Sequence, residues 1–496
     1  MKVLFIYRNS SLDPTDPLGV MWLSANLKRH GHQSKLFIPN LESDMKQKII
    51  DYAPDMIAYS VTSGSEQYYL AMDKAIQKIQ PHFTLFGGPH PTYFPDVIKE
   101  AGLDASCQGE GDDVILDVVN ALESGGDVAG IPNISVMRDG EVIKNEVRNY
   151  IEDLDTLPFP DRDILMKYPA YKNYGVRFFL ASRGCPYLCT YCFNHAAMKL
   201  YKDKGKYVRH RSVGNVIEEV HKVWRDYGMR HVYFYDDIFV LDRKWFAEFA
   251  EVYRKEIGMP YTCYLRVNLV DEDLVRLLKE SGCRSIAMAV ESGNAEIREK
   301  ILKRKMTNDQ IIDTVQLLQK HDIHVMTQNM VGMPNETVEN ALETIDLNMK
   351  AQPSYAWCSI FQPYIGTDLH DYCEELGLID ETWKHNHNEG YQDDTPINTG
   401  DIKHQFENLH KLFGLAVEFP FLIPYLKFLI KLPKNMMFEL LYRGFKGYTH
   451  FFRMRMSSFD FSFFKYIKRV FKYRRKLKKK GDLFDVTVAP TPDSFS

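Results

Sequence analysis

Residues 182–194 read Ser-Arg-Gly-Cys185-Pro-Tyr-Leu-Cys189-Thr-Tyr-Cys192-Phe-Asn, which places three cysteines within eight positions. The chain has eight cysteines in 496 residues, so this crowding indicates a metal site rather than a disulfide framework. The segment follows a predicted strand over 176–181 and is therefore a loop at the carboxyl end of that strand. Three thiolates on one short loop fit three corners of a cubane iron–sulfur cluster, which leaves one iron open for a substrate.

A structural zinc site, or three buried cysteines, is the alternative for this segment. Zinc sites usually close with a fourth cysteine or histidine, and no fourth cysteine lies nearby in the sequence. His195 is close, but it stands in an awkward position beside the third cysteine. The C-x3-C-x2-C spacing is also uncommon for zinc, so the pattern favours the iron–sulfur cluster.

The cysteine loop opens a long run in which short β-rich segments alternate with helical patterns. Strands are predicted at 176–181, 231–235, 261–266, 285–290, 325–330 and 357–361. Helices are predicted between them, among others at 213–227, 242–254, 271–280, 294–303 and 307–320. This alternation is typical of parallel strands, and six β/α units predict an incomplete (β/α)6 barrel of the TIM type over 175–390.

The N-terminal part of the chain, residues 1–132, shows a similar alternation. Strands are predicted there at 2–7, 33–38, 56–60, 84–86 and 105–108. The pattern predicts an α/β domain with a doubly wound, Rossmann-like (flavodoxin-like) parallel sheet. Glycine-rich turns at 87–88 and 109–111 follow two of the strands. Because ligands of such sheets bind beyond the carboxyl ends of the strands, these turns are candidate contact points.

The remainder of the chain divides into three parts. Residues 133–174 predict a hairpin, closed at 138–141, and a linker into the barrel. Residues 391–480 lose the strand–helix alternation and predict a mainly helical, basic and aromatic C-terminal region. Residues 481–496 predict a flexible tail.

The composition of the chain excludes several classes of protein. With 45% hydrophobic and 26% charged residues, the chain is neither disordered nor fibrous. Its net charge of -4 does not indicate a nucleic-acid partner. The apolar run at the N-terminus is too short for a signal peptide, and no run of about 18 uncharged apolar residues predicts a membrane-spanning helix. We therefore expect a cytoplasmic protein with reduced thiols.

The C-x3-C-x2-C loop after the first strand of an incomplete barrel resembles the radical S-adenosylmethionine (SAM) superfamily, and the resemblance extends over 176–370. It implies a [4Fe–4S] cluster held by the three cysteines, with SAM at the open iron. Further motifs imply contacts to SAM from Tyr191, Asp236, Asp237, Arg266, Glu291, Ser292 and Glu336. A guanidinium grips a carboxylate with two bonds, which suits Arg266 to the methionine carboxylate. Ordinary salt bridges at the barrel mouth are the alternative for Arg266 and the two aspartates.

Residues 1–132 resemble the cobalamin-binding domain that precedes the barrel in class B methyltransferases and anaerobic protoporphyrin ester cyclases. The resemblance rests on glycine- and hydroxyl-bearing turns and on the linker at 154–161. It implies cobalamin contacts from Ser60, Thr62, Gly87, Gly88, His90, Gly109 and Glu110. The chain lacks Asp-x-His-x-x-Gly, the motif that supplies a histidine ligand to cobalt, so the lower axial ligand is open. A flavodoxin-like domain that binds a nucleotide, or nothing, is the alternative.

Together these resemblances imply a cobalamin-dependent radical SAM enzyme that methylates an unactivated carbon, through a 5′-deoxyadenosyl radical and methylcobalamin. Oxidative cyclisation or rearrangement with the same cofactors is the alternative reaction, and a non-catalytic corrinoid-binding protein is the alternative class. The resemblance also implies an external one-electron reductant of the flavodoxin or ferredoxin type. No residue is assigned as catalytic, and the sequence does not name the substrate.

The C-terminal region differs from the rest of the chain in charge. Residues 421–480 contain 17 Lys and Arg but only two acidic residues, with aromatic residues interleaved. Basic helices with aromatic faces bind membrane interfaces, so we expect 413–480 to contact the inner face of a membrane peripherally. A lipid or a lipid-linked intermediate is then the expected substrate, and a small-molecule substrate is the alternative. The alternative is that the aromatic residues pack on the barrel and the cations form a solvated face.

Overall fold

The computed structural model describes residues 1–9, 14–100, 102–379, 395, 397–398 and 400–454. In this part of the chain, two parallel sheets follow one another and a group of helices follows the second sheet. The order agrees with the α/β architecture that the sequence predicts. The basic segment after residue 454 and the predicted tail at 481–496 lie outside the described residues.

The first sheet has a doubly wound order. Its strands, within the described residues, are β1 (Lys2–Ile6), β2 (Gln33–Phe37), β3 (Met56–Ser60), β4 (Phe83–Gly87), β5 (Ala105–Cys107), β6 (Ile134–Arg138) and β7 (Glu141–Lys144). The helices among them are α1 (Leu18–Arg29), α2 (Met45–Tyr52), α3 (Glu66–Gln77), α4 (Pro89–Tyr93) and α5 (Val114–Glu123). The strand order is β2-β1-β3-β4-β5-β6-β7, and β1 to β5 are parallel. This confirms the flavodoxin-like prediction, and β6 and β7 confirm the predicted hairpin.

Strand β1 is buried on both faces of the sheet. Its side chains point alternately to the two faces, and each face is covered by apolar residues. Val3 and Phe5 pack in one apolar cluster, whereas Leu4 and Ile6 pack in another on the opposite face. Helices cover both faces, as parallel sheets require. From β1 the chain adds β2 on one side of the sheet and then β3 on the other side. This change of direction between β1 and β3 opens a crevice at the carboxyl edge of the sheet.

The second sheet is an open barrel of parallel strands. Its described strands are β8 (Val176–Phe179), β11 (His231–Phe234), β12 (Tyr261–Leu265), β13 (Cys283–Glu291), β14 (His324–Val331) and β15 (Tyr355–Ile360), paired in that order. Two short strands, β9 (Ser182–Arg183) and β10 (Arg209–His210), form a separate ribbon. The helices are α8 (Phe193–Leu200), α9 (Val213–Tyr227), α10 (Arg243–Glu256), α11 (Glu272–Glu280), α12 (Asn308–Lys320), α13 (Val338–Ala351) and α14 (Asp368–Glu375). The incomplete barrel is thereby confirmed.

One predicted helix of the barrel is present, but most of it is a π-helix. The predicted range is 294–303; the helical path runs over 295–301, and Ile297–Ile301 form a π-helix of five residues. The chain wraps there around Arg298, whose guanidinium donates to the carbonyl oxygens of Ser292 and Met306. These two bonds satisfy a buried cation and end the helical path early.

The linker binds the two sheets together. It contains the short helices α6 (Asp163–Met166) and α7 (Pro169–Lys172), which the sequence did not predict. The guanidinium of Arg162 is buried between the two units, where it contacts Asp16 at 2.6 Å and Glu219 at 3.0 Å. A charge at such a site is stable only when it is fully paired, so the linker fixes one unit against the other.

The C-terminal region is helical, as predicted. Its helices are α15 (Lys403–Glu418), α16 (Ile423–Leu429) and α17 (Met436–Tyr448), followed by a π-helix at Thr449–Arg453. Helix α15 packs against β15 and α13 through an apolar cluster that includes Phe406 and Phe413. Within the described ranges, none of the helices combines the length and the hydropathy that crossing a membrane requires.

Candidate active site

The three cysteines lie on the loop between β9 and α8, at the carboxyl end of the first barrel strand. Gly184 precedes them with a φ of +90°. A Cβ at this position would lie 2.6 Å from the carbonyl oxygen of Tyr207, so only glycine fits. The tight turn directs Cys185, Cys189 and Cys192 over the end of the barrel.

The separation of the thiols tests which metal group they fit. Four sulfur ligands of one zinc ion, each at about 2.3 Å, lie about 3.8 Å from one another. Among the described residues, the one group of three ligand atoms within 4.8 Å of each other is His370, Asp371 and Glu374, on α14. The sulfur atoms of Cys185, Cys189 and Cys192 do not form such a group, so at least one pair of these sulfurs lies more than 4.8 Å apart. Such a spread, with three thiolates on one loop, fits the corners of a larger cluster.

Two arginines reach the middle cysteine. Nη1 of Arg266 and Nη1 of Arg304 both lie 3.6 Å from Sγ of Cys189. The Arg266 guanidinium also stacks on the ring of Tyr187, 3.8 Å from its centroid. Two guanidinium groups therefore lie beside one sulfur of the cysteine loop. The sequence pointed to Arg266 but not to Arg304.

A buried network surrounds this cysteine. Tyr191 donates from its hydroxyl to Glu291 at 2.8 Å, and Arg304 donates to the same hydroxyl at 3.1 Å. Burial raises the pKa of Glu291, while the charge of Arg304 and the hydrogen bond from Tyr191 act in the opposite direction. The structure thus brings together Tyr191, Arg266 and Glu291 from three separate motifs.

Glu291 holds an unusual backbone conformation. Its φ is +70°, and the pairing of β13 with β14 shifts register between Ala289 and Glu291. Positive φ is rare for a residue with a side chain and marks strain that surrounding contacts must support. The bulge turns the carboxylate of Glu291 from the strand towards Tyr191.

Asp236 and Asp237 brace the two ends of the cysteine loop. Asp236 is buried and accepts hydrogen bonds from the backbone of Ala181 and from the hydroxyl of Ser182. Burial raises its pKa to about 6, and the bond from Ser182 opposes this. Asp237 accepts from the amide of Asn194 at 2.9 Å, just after the third cysteine. In this structure both carboxylates hold the protein's own loop.

Two more predicted residues lie in turns after β13 and β14. The Ser292 hydroxyl accepts from the backbone N–H of Asn294, and the next residue, Gly293, packs against α13 where a Cβ would lie 2.5 Å from the carbonyl oxygen of Glu343. Glu336 is buried, and one carboxylate oxygen accepts from the N–H groups of Gly332 and Met333. The other oxygen, Oε1, is buried and has no hydrogen-bond partner among the described residues. A buried acceptor of this kind is suited to a bound ligand.

Glu336→Gln is expected to stabilise the protein more at alkaline than at acidic pH. Burial raises the pKa of Glu336 to about 8, above its value of 4.5 in the unfolded chain. The stability of the wild-type protein is therefore full below about pH 4.5 and falls as the pH rises towards 8, by about 5 kcal/mol at most. Glutamine keeps the oxygen that caps Gly332 and Met333 but has no proton to lose. The measurement is the melting temperature of both proteins at several pH values, with the exposed Glu299→Gln as control; a constant difference between them would contradict the assignment.

The carboxyl edge of the first sheet contains the hydroxyl and glycine residues of the predicted corrinoid site. Ser60 and Gly87 end neighbouring strands, and Gly88 has a φ of +97° with its Cα held against the backbone of Val61. A Cβ on Gly87 would have no neighbour closer than 4.0 Å, so space is open beside it. Thr62, on the loop after β3, has its hydroxyl 3.2 Å from that of Ser65.

His90 lies in the buried part of the same edge. Its Nδ1 is 3.3 Å from the Ser63 hydroxyl, and its ring stacks on Phe94 with centroids 4.5 Å apart. These contacts hold α4 against the loop after β3. The structure thus groups Ser60, Thr62, Gly87, Gly88 and His90 on two adjacent loops.

Gly109 and Glu110, the remaining predicted corrinoid contacts, face the barrel. The hydroxyl of Tyr201 fills the space beside Gly109, only 2.0 Å from where a Cβ would stand. The same hydroxyl accepts from the N–H of Glu110 at 2.7 Å. The carboxylate of Glu110 forms two hydrogen bonds with buried Arg209, at 2.6 and 3.1 Å. These residues join the two units in this structure, a role that the sequence did not indicate.

The loop after β4 touches the cysteine loop directly. Tyr93, at the end of α4, stacks on Phe193 with ring centroids 4.2 Å apart. Its hydroxyl donates to the carbonyl oxygen of Phe193 at 3.1 Å, and Phe193 follows Cys192 in the chain. The candidate corrinoid edge and the candidate cluster loop are therefore neighbours. The sequence gave no sign of Tyr93, because a lone tyrosine on a short helix has no motif.

Comparison with known proteins agrees with both halves of the site. Residues 179–347 match the family model described as Radical SAM superfamily, and residues 6–119 match that of the B12 binding domain. An uncharacterized methyltransferase of Pyrococcus horikoshii is 31% identical over 373 residues, which are 73% of this chain and 79% of that protein. The chain belongs to the cobalamin-binding radical SAM family. It is therefore an enzyme whose cofactors are a [4Fe–4S] cluster, SAM and cobalamin.

Two further similarities span most of the chain. The anaerobic magnesium-protoporphyrin IX monomethyl ester cyclase of Rubrivivax gelatinosus is 27% identical, over 84% of this chain and 76% of the cyclase. The structure of the radical SAM methyltransferase TsrM from Kitasatospora setae, with cobalamin and a [4Fe–4S] cluster bound, superposes with a TM-score of 0.64 at 17% identity. The match covers 76% of this chain and 75% of TsrM, and it supports the fold.

Proposed function

We propose that this cobalamin-binding radical SAM enzyme transfers a methyl group to an unactivated carbon of its substrate. The observation that carries the proposal is the contact of Tyr93 with Phe193, because it sets the corrinoid edge beside the cluster loop. Methyl transfer to a carbon radical requires the methyl donor and the radical source to face one substrate position. The methyltransferase of Pyrococcus horikoshii, which shares most of the chain, supports the same reaction.

We assign Cys185, Cys189 and Cys192 as the ligands that would hold the cluster. When bound, the cofactors supply one electron to SAM, a 5′-deoxyadenosyl radical to the substrate and a methyl group from cobalamin. The chain's own part is positioning and exclusion of water: Cys189 and Tyr191 are enclosed by Arg266 and Arg304. Both guanidinium groups lie beside the sulfur of Cys189, and Arg266 is in reach of a carboxylate bound beside the cluster.

The remaining SAM contacts are proposed for residues that surround this network. Glu291 and Tyr191 offer oxygen atoms on one side, and the unpaired Oε1 of Glu336 is proposed to form a hydrogen bond with a bound ligand. Ser292 is proposed to act with Glu291 at the ribose. Asp236 and Asp237 act in this proposal by holding the loop.

For cobalamin, we propose contacts from the two adjacent loops at the sheet edge. Ser60 and Thr62 supply hydroxyl groups, and the open space at Gly87 lets the ring or its tail approach the backbone. Gly88 and His90 shape this edge. Gly109 and Glu110 contribute by joining the sheet to Tyr201 and Arg209 behind the site.

Oxidative cyclisation is the second candidate reaction. The cyclase of Rubrivivax gelatinosus is similar to this chain over 84% of the chain's length, at 27% identity. Product analysis separates the two reactions. Methyl transfer consumes two SAM and two electrons per turnover, and releases methionine, 5′-deoxyadenosine, S-adenosylhomocysteine and the methylated product. Cyclisation releases no S-adenosylhomocysteine.

The test is a panel of candidate substrates incubated anaerobically with loaded enzyme, SAM and a flavodoxin or ferredoxin as external reductant. We expect S-adenosylhomocysteine and 5′-deoxyadenosine in equal amounts, with a methylated product. The panel includes small molecules and lipid-linked compounds, because we propose that the enzyme works peripherally at the inner face of a membrane. A product that gains no methyl group would refute the methyltransferase proposal in favour of cyclisation.

A further inference from the structure

Helix α17 exposes an apolar face. Its buried side is marked by Phe438, which is 1% exposed and packs with α15. The side chains that are exposed are Met436, Met437, Leu440, Leu441 and Tyr448. At 100° per residue these five positions form one continuous stripe along the helix, next to the buried side. A helix that buried its whole apolar face in the protein would not present this stripe.

Helix α16 and the turn before it expose a second apolar stripe. Phe421, Tyr425 and Phe428 are 69%, 63% and 68% exposed, and they follow one another at helical spacing. Leu426 faces the protein and is fully buried. Aromatic rings with so much exposed area are costly to leave in water, at roughly 25 cal/mol for each Å².

A chain of aromatic rings joins the two stripes into one surface. Ring centroids are 5.9 Å apart between Phe421 and Phe419, and 6.3 Å apart between Phe419 and Phe445. The chain continues from Phe445 to Tyr448 at 6.2 Å and from Tyr448 to Phe452 at 5.5 Å. We call the exposed apolar side chains within 419–452 the C-terminal apolar surface. Contiguous patches of this kind mark interaction sites.

The charge around this surface selects its partner. Residues 419–454 contain six Lys and Arg and one acidic residue, Glu439. The chain then continues with eleven Lys and Arg and one acidic residue, Asp460, over 455–480. Like charges repel, so this excess of positive charge disfavours self-association of the surface. The partner that fits is apolar at its interior and negative at its surface.

We propose that the C-terminal apolar surface docks on an anionic phospholipid bilayer. The aromatic, methionine and leucine side chains enter the boundary between headgroups and acyl chains, and Lys431, next to the Lys427–Glu339 ion pair, meets the headgroup phosphates. Nucleic acid is a poorer fit, because stacking on bases uses aromatic rings and leaves Met436 and Leu440 in water.

The surface lies directly behind the barrel. Phe445, one of its linking rings, packs on Tyr355 at the start of β15 with centroids 6.3 Å apart. Met454 is fully buried in a cluster with Ala287 of β13 and Met326 of β14. Strand β13 also ends in Glu291 of the candidate SAM site. If the proposed methyl transfer holds, on which this step rests, the bilayer gives the substrate class: a lipid or an amphiphile that resides in the membrane.

The test is flotation of the full-length, cofactor-loaded protein with phosphatidylcholine vesicles that contain phosphatidylglycerol. The test variant changes Phe421, Phe428 and Leu440 to glutamine, all of which are exposed, so folding is preserved. We expect this variant to partition onto the vesicles at least about tenfold more weakly than the wild type, because each replaced side chain loses its burial in the bilayer. The matched control changes three exposed apolar residues elsewhere, Ile50, Ile143 and Trp224, to glutamine and should bind as the wild type does.

Three results would overturn the proposal. They are absence of flotation at low salt, equal flotation of the test variant, and flotation with pure phosphatidylcholine as strong as with anionic vesicles. Sedimentation velocity without vesicles gives a further check: a dimer that the test variant loses would assign the surface to a second copy instead. SAM cleavage is measured on the same preparations, so a failure of docking is distinguished from a failure of the proposed reaction.

Discussion

Replacement of Cys189 by alanine is expected to abolish the reductive cleavage of SAM. The sulfur of this residue is the one that both Arg266 and Arg304 approach at 3.6 Å, so its loss removes a ligand and leaves two buried cations without their counter-charge. We expect less than about one thousandth of the wild-type yield of 5′-deoxyadenosine, together with loss of iron and of the visible absorbance of the cluster. The measurement is chromatography of 5′-deoxyadenosine after anaerobic reconstitution.

The matched control is Cys107→Ala. Cys107 is also buried, but it lies at the end of β5 in the first sheet, outside the cysteine loop. A thiol in such surroundings is inert, so the control should retain both cluster and cleavage. Cleavage by the Cys189 variant at the rate of this control would refute the cluster assignment.

Replacement of Gly87 by valine is expected to remove most of the bound corrinoid. The space beside Gly87 is open, since the nearest atom to a Cβ there is Cβ of Cys107 at 4.0 Å. A side chain is therefore accommodated by the protein itself and occupies only the volume that the ligand needs. We expect at least about a hundredfold weaker retention of hydroxocobalamin, which is about 2.7 kcal/mol.

A substitution at Gly87 tests the corrinoid site more directly than one at Gly88. A Cβ on Gly88 would lie 3.0 Å from the backbone of Val61 at a φ of +97°, so its substitution would distort the loop with or without a ligand. Gly130→Val is the matched control, because a Cβ there meets nothing within 4 Å. The measurement is the visible spectrum after gel filtration with excess hydroxocobalamin; retention by the Gly87 variant equal to that of the control would exclude the proposed edge.

The strands and turns of both sheets could be predicted because their signals are local. Alternating β-rich and helical segments fix a parallel sheet within each stretch of about thirty residues. The π-helix at Ile297–Ile301 was missed because its cause, the burial of Arg298, depends on carbonyl groups on either side of it.

Arg304 could not be predicted for the same reason. It stands between Lys303 and Lys305, a run of charges that is typical of a solvated face. Its guanidinium is nevertheless buried, because it reaches Cys189 and Tyr191 more than one hundred positions earlier in the chain. Contacts over such separations leave no periodic pattern in the sequence.

Gly109 and Glu110 show the limit of a motif. A glycine signals that something must come close to the backbone, but it does not tell whether a ligand or a side chain will do so. Here the hydroxyl of Tyr201 fills that space, and Arg209 pairs with the acid beside it. The motif predicted cobalamin contacts at these positions, whereas the neighbours that they have in this structure depend on how the barrel packs against the first sheet.

The most direct test of the central claim follows the methyl group of SAM. Loaded wild-type enzyme is incubated anaerobically with SAM that carries a deuterated methyl group, a reductant and no substrate, and the corrinoid is then analysed by mass spectrometry. A methyltransferase that joins these two cofactor sites is expected to place the label on the corrinoid and to release one S-adenosylhomocysteine for each label transferred. An unlabelled corrinoid, with 5′-deoxyadenosine as the sole nucleoside product, would contradict methyl transfer.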